Sequence, residues 1–293
     1  MASAALRDTR RRINSVEATK KITRAMELIA ASRIPKATAR VEASKPYTQK
    51  LVEVIENVGG AQTSASHMLL ERREVSTVGL LVIASDRGMA GAYAATVIRL
   101  AEQRIFELEK TGTDVLIYAV GKKAQSYFRY RGYRIEQAYL GITDTPGYSN
   151  ARAIANTVME AYASRRVDSL EAFYTRFESA VTQTPLGKEV LPITPPTREG
   201  EEGPSVSYEF EPSPGEILDR LLPRYVEAFI FNILLEASAS EHSARRRAMK
   251  AATDNAEELI KTLTVKANRA RQAEITTAIT EIVGGAQALQ DTQ

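Results

Sequence analysis

The stretch that decides the fold runs from Arg224 to Val283: RYVEAFI FNILLEASAS EHSARRRAMK AATDNAEELI KTLTVKANRA RQAEITTAIT EIV. It contains no Gly and no Pro over 60 residues. At about 1.5 Å per residue this predicts a helix of roughly 90 Å, far beyond the roughly 11–12 residues of an average helix. A helix of that length has nothing in one domain to bury it. It pairs with a second long helix or enters a partner. Ile230, Leu234, Ala237, Ala244, Ala248, Ala252, Ala256, Leu259, Leu263 and Ala270 recur at spacings of three, four or seven, as a coiled-coil stripe does. The small residues in its middle allow close approach.

Working back to the N-terminus, a second long helix is predicted over residues 4–58. Leu6, Ile13 and Val16, then Ile22, Met26 and Ile29, then Leu51, Ile55 and Val58 repeat the same spacing. Gly59 and Gly60 read as its stop, and Pro35 and Pro46 are expected to kink it or end it locally. The two helices flank everything else, so an antiparallel pairing is expected. The last helix is the longer. About twenty residues, 273–293, are then left as an unpaired tip of roughly 30 Å. That tip carries Ile275, Ile279, Ile282 and Val283 among threonines, an apolar surface suited to burial in another protein.

Between the helices the periodicity changes. Residues 78–84 and 114–120 are short apolar runs, as buried strands are. Residues 92–109, 122–130 and 150–164 read as helices; 134–140, 170–177 and part of 181–191 read as strands. Strands alternating with helices predict a βαβ-type, Rossmann-like domain with a largely parallel sheet. Residues 192–215 form a Pro-, Gly- and Glu-rich connector, with a short edge strand expected at 206–210. A short helix at 216–222 leads through Pro223 into the terminal helix. The fold class is therefore α/β. Helix 1–60 and helix 214–293 form the coil, and residues 76–212 form the inserted α/β domain.

Composition excludes several classes. The chain of 293 residues has no Cys, so no disulfide or thiol chemistry. No apolar run reaches the roughly 20 residues of a membrane span, and the charged start does not resemble a signal peptide. The net charge of +3 conceals an asymmetry: residues 1–40 hold ten Lys/Arg against three Asp/Glu, and 245–272 hold eight against three. Two basic faces on long helices fit an acidic partner. Nucleic acid is disfavoured: there is no Trp, and no aromatic residues are interleaved with Arg10–Arg12 or Arg245–Arg247.

No catalytic constellation is legible. Neither GxxxxGK[ST] nor GxGxxG occurs, and the Gly88–Gly91 turn reads as a tight strand-to-helix connection. Ser85-Asp86 is no nucleophile elbow. Asp86-Arg87 reads as a local ion pair or the cap of the next helix. His67 and His242 lie far apart with no second ligand at metal spacing, and His242 reads as a solvated surface residue. No cofactor or metal is expected.

Four stretches resemble one family, the gamma subunit of F-type ATP synthase. They are Leu6-Arg-Asp-x-Arg-Arg-Arg-Ile13 through Lys20-Lys-Ile-Thr-Arg-Ala-Met26; Ser85-Asp-Arg-Gly-Met-Ala-Gly91; Ala248-Met-Lys-Ala-Ala-Thr-Asp-Asn255; and Asn268-Arg-Ala-Arg-Gln272 with Ile275-Thr-Thr-Ala-Ile-Thr-Glu-Ile-Val-Gly-Gly-Ala286. The chain departs from the family pattern where Ala278 replaces a usual acidic residue and Ala90 a frequent Cys, and it has no cysteine-bearing insert.

The resemblance implies a non-catalytic central-stalk rotor subunit of the F1 sector, CF(1). It transmits torque between the membrane c-ring and the catalytic alpha/beta hexamer during proton-driven ATP synthesis. Implied partners are the alpha and beta subunits, the epsilon subunit and the c-ring, with one copy per complex. The implied location is peripheral, on the cytoplasmic side of a bacterial cell membrane. The resemblance assigns hexamer contact or coupling to Met26, Arg245, Gln272, Thr276, Thr280 and Glu281. It assigns the foot, against the c-ring and epsilon, to Tyr208 and Glu211. The alternative from another class is a freestanding coiled-coil scaffold carrying an α/β binding module.

Overall fold

The computed structural model describes residues 4–61, 67–194 and 213–290. Its elements are α1 (Ala4–Ala61), β1 (Thr77–Ile83), α2 (Tyr93–Lys110), β2 (Asp114–Val120), α3 (Lys122–Tyr130), β3 (Ile135–Tyr139), α4 (Tyr148–Ala163), β4 (Ser169–Phe177), β5 (Gln183–Leu191) and α5 (Pro214–Gln290). The chain divides into two units, residues 1–29 with 246–293 and residues 30–245.

In the second unit, the apolar run of β1 is buried along almost its whole length because helices cover both of its faces. Val78, Leu80 and Val82 point to one side, against Val97, Ala101 and Ile105 of α2 and Phe128 of α3. Leu81 and Ile83 point to the other, against Ile154 and Val158 of α4 and Leu222, Val226, Ile230 and Leu234 of α5. The sheet order is β3-β2-β1-β4-β5. The first four strands are parallel, and β5 returns antiparallel at the edge. Pro185 is tolerated in β5 because an edge strand has a side with no ladder to break.

The segment α1 30–61 packs in the same unit, where Val41 meets Leu235 and Ala239 and Ser44 Oγ donates to Asn232 Oδ1 at 3.1 Å. Two expectations are corrected here. Pro35 and Pro46 do not end α1, and Pro223 lies inside α5 with no separate helix before it. Pro35 and Pro46 both lie on the solvent-exposed side, where water takes the carbonyls they leave unbonded and packing of the opposite face holds the helix. Gly59 and Gly60 likewise fall inside α1, which ends at Ala61. The strand expected at 206–210 lies outside the described residues.

The first unit is a pair of helices. Thr23 Oγ1 meets Thr253 Oγ1 at 2.8 Å, and Lys20 Nζ donates to Glu257 Oε2 at 3.1 Å. A step back on α1 thus matches a step forward on α5, which makes the pairing antiparallel.

Candidate functional site: the outer face and tip of the helix pair

The seam of the first unit follows a strict heptad. On α1 the covered positions are Leu6, Thr9, Ile13, Val16, Lys20, Thr23 and Glu27; on α5 they are Met249, Thr253, Ala256, Ile260, Leu263, Ala267 and Ala270. All are separated alternately by three and four residues, the 3.5-residue period of a left-handed coil. Leu6, Ile13, Val16, Ala256, Leu263 and Ala270 lie in the seam as expected from sequence, and three members of the expected stripe are corrected. Ile22, Ile29 and Leu259 stand at 60%, 54% and 47% exposure, and Thr23, Glu27 and Thr253 take the inside positions.

The result is a coil with polar groups in its seam and large apolar side chains outside. Leu28 and Val265 extend the outer apolar set. A groove of about 660 Å³ runs along it, lined by Glu17, Lys20, Lys21, Arg24, Ala25, Leu28 and Ile260. Aliphatic floor and cationic rim together suit an apolar partner surface carrying acidic groups.

Extending the register from Thr23/Thr253 and Lys20/Glu257 brings Ala4 level with about residue 272, one step per residue on each helix. Beyond that, every residue of 275–286 is exposed. Ile275, Ile279, Ile282 and Val283 have no cover from their own unit. Gln272, Thr276 and Thr280 recur every four residues and so share one face of this tip, beside Glu281. Thr280 Oγ1 donates to the Thr276 carbonyl at 2.9 Å, so its hydroxyl proton is used within the helix and its methyl is carried outward.

Met26 lies half-buried on α1. Arg245 is buried in the second unit, its Nη2 donating to Glu241 Oε1 at 2.5 Å. Tyr208 and Glu211 lie outside the described residues. The sequence reading expected an apolar tip, and residues 275–286 are exposed here; it missed the apolar outer face of α1. Its signal was present in Ile22, Leu28 and Ile29, which cannot all belong to one narrow seam.

The β1–α2 turn is occupied by structural bonds. Asp86 Oδ1 accepts from the Lys122 amide, so it caps α3 and not the helix that follows it in sequence. Its Oδ2 accepts from the Thr143 amide and hydroxyl. Burial pushes the Asp86 carboxyl up, but hydrogen bonds from Gly141, Thr143 and Lys122 outweigh it and hold the group below its ordinary range. Among the described residues no group of three or more His, Cys, Asp or Glu is placed to hold a metal ion.

His242 is not a surface residue: it is 2% exposed. The spacing that looked like a solvated helix face is covered by the β3–α4 loop, and His242 Nε2 lies 3.2 Å from the Asp144 carbonyl. Burial lowers its pKa. Burial raises that of Glu241, more than the paired Arg245 lowers it.

A family model described as ATP synthase matches residues 5–289. The ATP synthase gamma chain of Parafrankia sp. is 48% identical over 292 residues, 97% of each chain. That of Acidothermus cellulolyticus is 49% identical over 293 residues, covering 98% of this chain and 97% of the relative. Among solved structures, a chain of the Euglena gracilis mitochondrial ATP synthase OSCP/F1/c-ring assembly superposes with a TM-score of 0.67 at 17% identity, over 97% of this chain and 94% of that one. A chain of the Tetrahymena thermophila mitochondrial ATP synthase central stalk/c-ring gives 0.60 at 23%, over 79% and 99%. At these identities the likeness is one of fold.

Proposed function

We propose, from the premise that this chain belongs to the ATP synthase gamma-chain family, a specific way in which it works as the central-stalk subunit. It is a non-catalytic part of a membrane-associated complex. No described helix is long and apolar enough to cross a membrane, and in our reading its attachment is peripheral.

The observation that carries the reading is the apolar outer face of the coil and its tip. A free coiled coil in water hides its aliphatic residues in the seam. Here Ile22, Leu28, Ile29, Ile275, Ile279, Ile282 and Val283 face outward. Such a surface marks a contact with another protein, which disfavours the scaffold reading. In our reading that protein is the alpha/beta hexamer, and one copy of the chain stands in its bore. The tip residues Gln272, Thr276, Thr280 and Glu281 turn against the upper hexamer, and Met26 and the basic groove meet an acidic segment of beta. Arg245, held by Glu241, acts by setting the position of α5 and not by reaching out. Tyr208 and Glu211 form the foot against the c-ring and epsilon, at the cytoplasmic face of a bacterial membrane.

The shaft then works as a differential ligand. It biases each beta subunit between open and closed only by the difference in contact free energy it makes with the two states. An asymmetric rod presents a different face to each of three sites, so turning it drives them in sequence through hydrogen ion transport-linked ATP synthesis. Aliphatic and methyl groups suit the bearing because their attraction is non-directional and does not lock one angle.

The test is reconstitution with alpha and beta subunits. ATPase activity that appears only when this chain is added supports the reading. Full activity without it, or no stable association, sinks it.

A further inference from the structure

Eight residues between β3 and α4 bond three other elements of the second unit. In the loop 140–147, the Asp144 carboxylate pairs with Arg33 of α1. The Asp144 carbonyl accepts from Ser238 Oγ at 2.9 Å and lies 3.2 Å from His242 Nε2, both on α5. The Pro146 carbonyl accepts from Arg40 of α1. The Thr143 hydroxyl donates to Asp86 Oδ2 and accepts the Asp86 amide, both at 3.1 Å, and Asp86 in turn caps α3. One short loop thus ties both long helices to the carboxyl edge of the sheet.

The chemistry of this joint is unlike the rest of the unit. Below it, α5 is attached to the sheet by an aliphatic core. Apolar packing is non-directional and resists separation more than twist. Hydrogen bonds weaken steeply as their angles open, so a ring of them resists rotation of the sheet about the coil. The polarity is deep: Ser240, Glu241, His242 and Ser243 are all 2% exposed or less, and His242 Nδ1 and Ser243 Oγ have no hydrogen-bond partner among the described residues. Stability alone does not select such an interior, because well-packed aliphatic residues match or exceed buried ionic ones.

Building on the rotor reading, we propose that loop 140–147 is the coupling clamp through which the α/β domain grips α1 and α5, with Asp144 as the positioning residue for torque transfer. It touches no nucleotide site and performs no chemistry. It keeps the sheet from slipping about the coil under load.

The test uses the complete ATP synthase in vesicles, measuring proton-driven synthesis and ATP hydrolysis on the same preparation. For Asp144→Ala and for the milder Ser238→Ala, synthesis per unit of hydrolysis is expected to fall roughly 2- to 30-fold, the range of a residue that carries coupling without contacting ligand. Asp144→Glu, which keeps the charge for Arg33, is expected to recover most of the ratio. An unchanged ratio in both variants, with the wild type coupled, removes the clamp and leaves the rotor reading standing. A loss that only tracks reduced incorporation of the chain also removes it, since that is the signature of a folding residue. A wild-type chain that fails to restore coupling removes the rotor reading itself.

Discussion

Thr23 and Thr253 meet hydroxyl to hydroxyl at 2.8 Å on the buried seam of the helix pair. Each hydroxyl is also placed to bond its own helix, Thr23 to the Lys20 carbonyl and Thr253 to the Met249 carbonyl. Two protons serve three bonds, so one hydroxyl donates across the seam while the other donates to its backbone. Removing one partner leaves the other buried without its cross-seam bond, whereas removing both leaves only methyl groups. We expect Thr23→Val and Thr253→Val each to cost about 1 kcal/mol and the double variant to cost far less than their sum. Chemical denaturation of the four chains checks this; additive losses would show that the pair contributes nothing to the register.

The tip predicts a separation between stability and assembly. Ile279 and Ile282 are 56% and 72% exposed. Ile279→Asp and Ile282→Asp should leave the chain's own unfolding within about 0.5 kcal/mol, as exposed substitutions do. The same changes should weaken association with the alpha/beta hexamer by about tenfold or more, the effect of placing a charge in an apolar contact. A calorimetric scan of the chain and a binding titration separate the two. Equal association of variant and parent would place the tip in solvent.

Much of this architecture was legible because long-range order leaves local marks. The absence of Gly and Pro over 224–283 gave α5, and the apolar run at 78–84 gave a strand covered on both faces. The element 122–130 matched α3 (Lys122–Tyr130) residue for residue. The inside of the coil was harder to read. A 3.6-residue helix offers adjacent columns at nearly the same spacing, and apolar content favoured Ile22 and Ile29 over Thr23 and Glu27. Only pairing with α5 decides between them. His242 failed for the same reason: its cover comes from Asp144, 98 residues away, and no local pattern announces it. Pro35 and Pro46 overstated the local rule, since packing of the opposite face carries the helix past them.

Gly121 is the strand-to-helix hinge at the start of α3. Its φ is +91°, and a Cβ there would lie 2.7 Å from the Ala84 carbonyl oxygen. Strain and overlap act together, against backbone that cannot rotate away. Gly121→Ala should destabilise the chain by about 2–4 kcal/mol, and the unfolding midpoint measures it. A loss under about 1 kcal/mol would mean that the β1 and β2 ends part easily.

Asp86 supplies the pH dependence. Burial raises its pKa, but the backbone bonds from Gly141, Thr143 and Lys122 and the Thr143 hydroxyl lower it further, leaving it below 3.8. A carboxyl whose folded pKa is depressed binds fewer protons folded than unfolded. Its contribution is therefore present in full above about 3.8 and fades as pH falls through the lower folded value. Asp86→Asn keeps the shape and removes the charge. At pH 7 it should cost about 1–2 kcal/mol, reduced from the about 1.5–3 of a charged hydrogen bond because the group is partly exposed to solvent. Below the folded pKa the parent carboxyl is itself neutral, so the two unfolding curves should converge. Urea denaturation of both proteins from pH 7 down to about 3 follows the difference. A gap that stays constant across that range would mean that the bonds at Asp86 act by shape and that its charge contributes nothing to the grip on Thr143.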